Sequence, residues 1–376
     1  MAGQEQQFNI AEHLLYAASR GRSYLQQVLD ILRLVMGGNK MGPDDYYYYG
    51  LYDAEHYSDD DRKAFVSDRY FTQAILQTCD QEWWAISNDK VVSYTLLHGA
   101  GIPIPEARAI FHPFRSCMDA RCLKNAAEVA AWLRDPATSF PVFGKPVTGV
   151  QSLGQALILG VDAEADTVQL KSEGAVSISE FAERVVSVQG TSTHDGYLFQ
   201  GVLQPHPRLR KICGDALSTV RMIVLIDDNG PRISHTTWKI VTGDHFADNF
   251  WREGNMVADV DPETGEVLRV VRGHGLDLEV LTKHPDTREV LTGATLPNWE
   301  RTRELVLQCA TLLPKVRFQG WDVGLCETGP VIVEANTGSS FTLAQIASAK
   351  GFMTPEFRDF LTRAAKSTKQ DAKAEM

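Results

Sequence analysis

The alternation of apolar and polar positions divides the chain into a helical first part and a mixed second part. In residues 1–87 apolar side chains recur at helical spacing. One such face ends at Gly37-Gly38, and Ser58 is typical of the N-cap of a further helix. The first face comprises Leu25, Val28, Leu29, Leu32, Val35 and Met36, and the further helix would pass through Asp61, Phe65, Phe71 and Ile75.

A run of aromatic residues, Tyr46–Tyr49 with Tyr52, lies between these helices. Two interpretations are open. The rings form a ligand or contact surface, or they pack the helical region onto the rest of the protein, which is favoured because buried aromatic rings contribute large apolar areas.

The pattern changes at Asn88, which can cap a helix to His98, and Ile102-Pro-Ile-Pro105 predicts an extended entry into a new domain. Turns at 227–230 and 262–265 predict antiparallel hairpins, and therefore an α+β fold. Helices are predicted over 298–312 and from Thr354-Pro355, before a polar tail from 366 that is expected to be disordered. The predicted strands are 142–146, 155–160, 197–202, 218–226, 233–242, 256–260, 266–271, 319–326 and 331–335.

Composition narrows the class of protein. The 376 residues are 44% hydrophobic and 23% charged, as in ordinary globular proteins, and the net charge of −11 argues against nucleic acid as a partner. No apolar run is long enough for a membrane span, and from its polar start we expect no secretion signal. The six scattered cysteines lack zinc-ligand spacing, so we interpret them as reduced thiols of a cytoplasmic protein.

The most informative segment is the predicted hairpin at 319–335. Residues equidistant from its turn lie opposite each other, and side chains alternate between faces, so Asp322, Glu334 and Asn336 should meet on one face. Two carboxylates among apolar neighbours repel each other, and a divalent cation would relieve this. Three hard oxygen donors suit Mg²⁺. The alternative is a hairpin with exposed polar residues.

Two weaker segments point to a nucleotide. Lys145 ends a strand before the flexible loop Gly149–Gly154, whose backbone N–H groups could bind phosphate, although an ordinary hairpin has the same pattern. The strand from Leu198 runs into a linker ending at His206, which could hold an adenine or simply connect two domains.

Together these segments resemble the ATP-grasp superfamily, and most closely its sugar-transfer-associated branch, over roughly residues 40 to 350. The resemblance rests on the order and spacing of short motifs. They are Asn88-Asp-Lys90 before the GIPIP turn, the Lys145 glycine loop, Gln200 to His206, Ser218-Thr-Val-Arg221, Ala247-Asp-Asn-Phe250, and Trp321-Asp322 with Glu334-Ala-Asn336.

The resemblance implies an ATP-grasp fold, in which two α+β subdomains clasp ATP, here with a helical N-terminal region. The implied division is a helical region 1–87, a linker and lid subdomain 88–202, a C-terminal subdomain with the metal site 203–365, and the tail 366–376.

It also implies roles for individual residues. Lys90 and Lys145 would neutralise ATP phosphates, and Asp322, Glu334 and Asn336 would hold one or two Mg²⁺, with Mn²⁺ able to substitute. Arg221 would stabilise the transferred phosphoryl group or bind a substrate carboxylate, although a surface arginine on a strand is the alternative. The remaining implied residues are the lid glycines and serine Gly149, Ser152 and Gly154, the adenine and ribose contacts Gln200, Val202, Leu203, Gln204 and His206, and the cleft residues Lys239 and Asn249.

Two features depart from the family pattern. A glycine pair is expected after Asp248-Asn249-Phe250, and this chain has Gly254-Asn255. Asparagine adopts the left-handed conformation moderately well, so the loop could keep its shape. In addition, the N-terminal region does not resemble the open α/β domain that precedes many ATP-grasp ligases.

The expected reaction is carboxylate–amine ligation through an acyl phosphate, with ADP and phosphate released and an amino acid or peptide-like substrate. Two alternatives remain open: a phosphotransferase that uses the same nucleotide site, and a non-catalytic nucleotide-binding protein. The sequence does not indicate the acceptor or the oligomeric state.

Overall fold

The computed structural model describes residues 9–70, 78–148, 154–187, 196–337 and 339–374. The four helices that lie entirely within residues 9–70 are α1 Ile10–Ser19, α2 Tyr24–Met36, α3 Pro43–Tyr48 and α4 Asp59–Ala64. Ser58 caps α4 through a reciprocal capping box with Asp61, as the sequence predicts. α4 ends at Ala64, because Phe65 is already extended. The rest of that predicted helix, at Phe71 and Ile75, lies outside the described residues.

The tyrosine run packs the helical region onto the second sheet described below. Tyr46 and Tyr47 have no exposed surface, and the run shares one apolar cluster with Phe250 and Val257. The packing interpretation is therefore confirmed, and the rings do not form an exposed contact surface.

A short connection precedes the first sheet and consists of α5 Trp84–Asn88 and α6 Lys90–Gly99. The prediction that Asn88 caps α6 is wrong. Asn88 ends α5, and the extended Asp89 is the cap, whose carboxylate accepts hydrogen bonds from the backbone N–H groups of Val91 and Val92.

The first sheet has seven strands in the order β2-β1-β7-β3-β4-β5-β6, and among these only β1 and β2 are parallel. The strands are β1 Ala107–Phe111, β2 Arg121–Leu123, β3 Val142–Pro146, β4 Ala156–Asp162, β5 Thr167–Leu170, β6 Gly174–Ser177 and β7 Tyr197–Gly201. Helices α7 Ala126–Arg134 and α8 Ile178–Ser187 pack on it, with the Trp132 and Phe199 rings 4.8 Å apart. The sequence missed β1, β2, β5 and β6, of which β2, β5 and β6 have only three or four residues and are too short to show clear alternation.

The second sheet is antiparallel and has the order β12-β11-β10-β9-β8-β13-β14. Its strands are β8 Thr219–Asp227, β9 Gly230–Ile240, β10 Met256–Val260, β11 Val267–Arg272, β12 Glu279–Leu281, β13 Phe318–Cys326 and β14 Gly329–Thr337. The α-helices in the described residues after β7 are α9 Pro207–Cys213, α10 Trp299–Thr311, α11 Thr342–Ser348 and α12 Pro355–Ala374. α12 thus continues into the segment for which disorder was expected.

The predicted α+β class and helical N-terminal region are confirmed, with one apolar core on each sheet. No helix in the described part of the chain is both long and apolar enough to span a membrane. The division into subdomains at residues 88, 203 and 366 stays a prediction.

Candidate active site

A cleft of about 1060 Å³ is lined by residues of both sheets. The first sheet contributes Lys145 from β3 and Gln200 from β7, and the second contributes residues of β8, β9, β13 and β14. Most of the residues singled out from the sequence therefore converge here. Those that line the cleft are Lys90, Lys145, Gln200, Val202, Leu203, Arg221, Lys239, Asn249, Asp322, Glu334 and Asn336.

The β13–β14 hairpin brings the three predicted residues together, but through a bulge between Asp322 and Val323 that the sequence did not predict. Asp322 lies directly opposite Glu334, and Gly320 lies opposite Asn336, so the three polar side chains share one face. Gly320 cannot be replaced without disturbance, because a Cβ atom there would lie 1.7 Å from Ser339 Oγ.

Asp322 is at the centre of a buried ion-pair network. It lies in register with Arg221 on β8, whose Nε and Nη2 each donate to one carboxylate oxygen at 2.7 Å. Lys239 Nζ contacts the second oxygen at 3.2 Å. Burial alone would raise the pKa of Asp322, but the charges of Arg221 and Lys239 hold it well below its usual range. The carboxylate is therefore ionised, and Arg221 is not a surface arginine.

A second acidic residue, Asp248, extends this network. Its Oδ1 lies 3.6 Å from Lys239 Nζ, and its Oδ2 accepts from the backbone N–H of Thr219 at 2.8 Å and from the Thr219 hydroxyl. The Ala247–Phe250 segment is one of the motifs recognised in the sequence, but no role was predicted for Asp248. The signal was available, since an acidic residue stands directly before Asn249.

Lys145 is just as deeply buried but has a different environment. Among the described residues its Nζ donates to the Tyr94 hydroxyl at 3.1 Å and lies 5.3 Å from the centre of that ring. Burial lowers the pKa of Lys145 to about 8, although the charges of Glu334 and Asp322 oppose part of this effect. Lys145 is thus a cation held in a site that disfavours its charge.

Tyr94, which the sequence did not single out, joins the two sheets. Its hydroxyl donates to the Val333 carbonyl of β14 at 2.9 Å and lies 3.4 Å from Gln200 Oε1 of β7. Burial raises its pKa, so the hydroxyl stays protonated. Tyr94 lies one turn after Lys90 on α6, and Lys90 Nζ contacts Glu334 Oε1 at 3.2 Å. Helix α6 therefore holds Lys145 and Glu334 together.

The Ala247–Asn255 loop is held by a side chain rather than by a glycine pair. Gly254 takes the left-handed conformation, with φ +92°, but Asn255 does not. The Asn255 amide instead donates to the carbonyls of Ala247 and Asn249 and accepts from the N–H of Thr242. The expectation of a left-handed asparagine is wrong, and the loop keeps its shape through these three hydrogen bonds.

Comparison with known proteins identifies the chain. The family model described as sugar-transfer associated ATP-grasp matches residues 71–358. The chain belongs to this family. The match covers the cleft and both sheets, and it leaves α1 to α4 of this ATP-grasp protein outside.

Solved structures with similar folds include three proteins of low sequence identity. One is the biotin carboxylase domain of 2-oxoglutarate carboxylase from Hydrogenobacter thermophilus, solved with MgADP, ADP and bicarbonate. It has 12% sequence identity and a TM-score of 0.42, and the match covers 80% of this chain and 51% of that protein. D-alanine-D-alanine ligase from Coxiella burnetii has 12% identity and a TM-score of 0.42, and the match covers 77% of this chain and 60% of the ligase. D-alanine-D-alanine ligase from Helicobacter pylori has 15% identity and a TM-score of 0.43, and the match covers 77% of this chain and 64% of the ligase.

The ATP-grasp chain thus spans about half of the first of these proteins and less than two thirds of the other two. No curated protein sequence matches it.

Several residues implied in nucleotide binding lie elsewhere. Gln204 is exposed, and its amide oxygen accepts from Arg210 at 2.9 Å. His206 caps α9 with its ring nitrogen. Neither lines the cleft, because the linker turns away from it to bond with the β13–β14 hairpin through the Leu325 carbonyl. Gly154 has φ +71° and accepts from Tyr197, whereas Gly149 and Ser152 lie outside the described residues.

The oxygen donors of the hairpin fit a hard divalent cation. Glu334 is partly exposed towards the cleft, and Asn336 shares its strand face and lines the same cleft. Asp322 already uses three acceptor positions on Arg221 and Lys239, which leaves about one of four for a metal. Glu334 and Asn336 would therefore be the principal ligands, and Asp322 a shared one.

Proposed function

We propose that this ATP-grasp protein is an ATP-dependent carboxylate–amine ligase. A substrate carboxylate oxygen attacks the γ-phosphorus of ATP, the bond to the bridging oxygen breaks, and ADP leaves. The resulting acyl phosphate is attacked by an amine, which forms an amide, loses a proton and releases phosphate. Such chemistry needs positioned charges rather than a protein nucleophile.

The observation that carries the proposal is the distribution of charge in the cleft. Among the cleft-lining side chains that are not exposed, four cations face three carboxylates, and the surplus cation is the buried Lys145; the exposed Lys171, Asp215 and Asp244 also line the cleft. A polyphosphate would supply the missing negative charge. The cations are Lys90, Lys145, Arg221 and Lys239, and the carboxylates are Asp248, Asp322 and Glu334.

Each residue then has a defined task. Lys145 and Lys90 bind phosphate oxygens, and Gln200, Val202 and Leu203 contact the adenine from β7 and its linker. Glu334, Asn336 and one oxygen of Asp322 would hold Mg²⁺, which shields phosphate charge when it is bound. The loop 149–154 would cover the phosphates and exclude water from the acyl phosphate.

Arg221 and Lys239 suit the substrate carboxylate. Arg221 uses Nε and Nη2 on Asp322, so Nη1 is the group with which it would contact substrate. Asn249 lines the same part of the cleft. An amino acid or peptide is the class of substrate that combines a carboxylate with an amine at this scale.

The test is turnover of ATP and Mg²⁺ against pooled amino acids whose carboxylates carry ¹⁸O. We expect ADP, one equivalent of phosphate that contains one ¹⁸O atom, and a product with the mass of two substrates minus water. An acceptor heavier by one phosphoryl group without free phosphate would mean a kinase. ATP binding without turnover on any acceptor would mean a nucleotide-binding protein.

A further inference from the structure

Helix α2 is inverted relative to an ordinary surface helix. Its buried residues are Gln27, Asp30 and Leu34, of which two are polar. Its apolar face points outward instead. The outward residues and their exposed fractions are Leu25 69%, Val28 47%, Leu29 42%, Leu32 48%, Val35 50% and Met36 78%.

The inward polar side chains are fully bonded and fix this orientation. Arg22 donates to both oxygens of Asp30 at 2.8 Å, and the Tyr46 hydroxyl adds a third hydrogen bond at 3.1 Å. Gln27 accepts from Tyr47 at 2.8 Å and donates to the Arg22 carbonyl at 2.7 Å. Rotation of α2 to bury its apolar face would leave these groups unpaired, at about 1–3 kcal/mol each.

The outward face has the spacing of a helix that packs on another helix. Its six residues occupy positions a, d and e of two consecutive heptads, starting at Leu25. The positions that flank this apolar face hold Gln26 and Arg33, so no row of like charges lies beside it. The stripe covers the whole length of α2, up to Gly37.

The exposed area is in the range of a real interface. Six side chains with these exposures present about 600 Å², at the upper end of apolar patches on monomers. Two such faces would bury about 1,200 Å² together, which is the lower limit of specific protein–protein interfaces.

A membrane surface is a poor match for this face. Membrane-bound helices carry basic residues beside the apolar face, and α2 has only Arg33 there. Arg33 lies 3.7 Å from Asp59, which begins the Asp59–Asp61 cluster of α4. Anionic lipids would be repelled by these carboxylates.

We propose that α2 pairs with α2 of a second copy of this chain, antiparallel about a two-fold axis near Leu29 and Leu32. A two-fold interface is self-complementary, so one apolar stripe without a row of like charges beside it suffices for both partners. The surface lies before the matched family residues and is independent of the chemistry in the cleft.

Light scattering on the full chain, over about 1–100 µM, tests the assembly. The wild type should have twice the mass of one chain. The double variant Leu29→Glu/Leu32→Glu should be a monomer with an unchanged circular-dichroism spectrum. Leu268→Glu, a change at a similarly exposed leucine on β11, should remain a dimer. A monomeric wild type, or a double variant that stays dimeric, would overturn the proposal.

Cysteine cross-linking tests the arrangement in a Cys122→Ser background, which removes the exposed native thiol. Leu32→Cys should cross-link to itself under mild oxidation. Leu25→Cys and Met36→Cys should cross-link only with each other in a mixture. Self-linked Leu25→Cys would contradict the antiparallel pairing. Monomeric wild type that binds anionic vesicles, but loses this binding in the double variant, would assign the face to a membrane and overturn the proposal.

Discussion

Two buried lysines, one from each sheet, line the same cleft, but among the described residues only one of them has carboxylates beside its ammonium group. Lys239 on β9 lies 3.2 Å from Asp322 and 3.6 Å from Asp248, so its charge is balanced within the protein. Lys145 on β3 contacts the Tyr94 hydroxyl, and burial lowers its pKa to about 8. The charges around Asp322 on the second sheet are thus balanced within the protein, whereas the first sheet holds a cation whose counter-charge would come from the ligand.

This difference between the two lysines predicts which substitutions affect stability and which affect ligand binding. A balanced buried pair is costly to break because either remaining charge is stranded. A buried lysine that, like Lys145, forms no ion pair with a carboxylate among the described residues destabilises the free protein, and the same charge strengthens binding of an anion. We therefore expect substitutions on the second sheet to affect folding strongly, and substitution of Lys145 to affect folding and binding in opposite directions.

Asp322→Asn should have the largest effect. The change leaves Arg221 and Lys239 buried without their shared carboxylate, so the free energy of unfolding should fall by about 3–5 kcal/mol. Urea unfolding measures this change. The double variant Asp322→Asn/Arg221→Gln should recover part of the loss, and equal stability of Asp322→Asn and wild type would show that the network contributes nothing.

Glu334→Gln should come next. It keeps the shape of the side chain and removes one charge from the proposed metal site, so Mg²⁺-dependent turnover should fall by about 10²–10³-fold, or about 3–4 kcal/mol. Calorimetry should show weaker binding of Mg²⁺-nucleotide. Near-normal turnover would remove the metal assignment, and Glu327→Gln in the hairpin turn is the matched control.

Lys145→Met should raise stability and weaken binding in the same protein. Removing the buried ammonium should increase the free energy of unfolding by up to about 3 kcal/mol, the equivalent of lowering its pKa from 10.5 to about 8. ATP affinity should fall at the same time. The measurements are thermal unfolding without nucleotide and calorimetric titration with it. Unchanged affinity would remove the phosphate-binding role.

The pH dependence should separate the two states of Lys145. Between pH 8 and 10.5 the unfolded chain binds a proton that the folded chain does not, so stability of the free protein rises with pH in this window. ATP affinity should fall over the same window, because the neutral amine no longer attracts phosphate. Neither trend from this group should remain in Lys145→Met, and parallel pH profiles for both proteins would contradict the low pKa.

Tyr94→Phe should have the smallest effect. It removes the hydroxyl that joins Lys145, Gln200 and the Val333 carbonyl, and should cost about 1–2 kcal/mol of stability. As a positioning residue it should lower kcat more than it raises KM. Loss of stability without any change in kcat would limit Tyr94 to a structural role.

The sequence by itself determined the local features. Alternation along the last strand was sufficient to place Glu334 and Asn336 on one face, because strand geometry has a fixed period of two, whereas a bulge between Asp322 and Val323 sets Asp322 opposite Glu334. Helical spacing, Ser58 and Gly37 likewise determined where α2 ends and α4 begins. The short motifs, in order, also sufficed to identify the ATP-grasp family.

Only the tertiary structure decided which side chains meet. Arg221 and Asp322 are 101 residues apart, and Lys145 and Tyr94 are 51 apart, so their contacts depend on the order of strands in two sheets. The same holds for α2. Its spacing predicts an apolar face, but the polar bonds of Asp30 and Gln27 with the tyrosines decide that this face points outward. Local patterns follow from backbone geometry, whereas partners and burial follow from the packing of the whole chain.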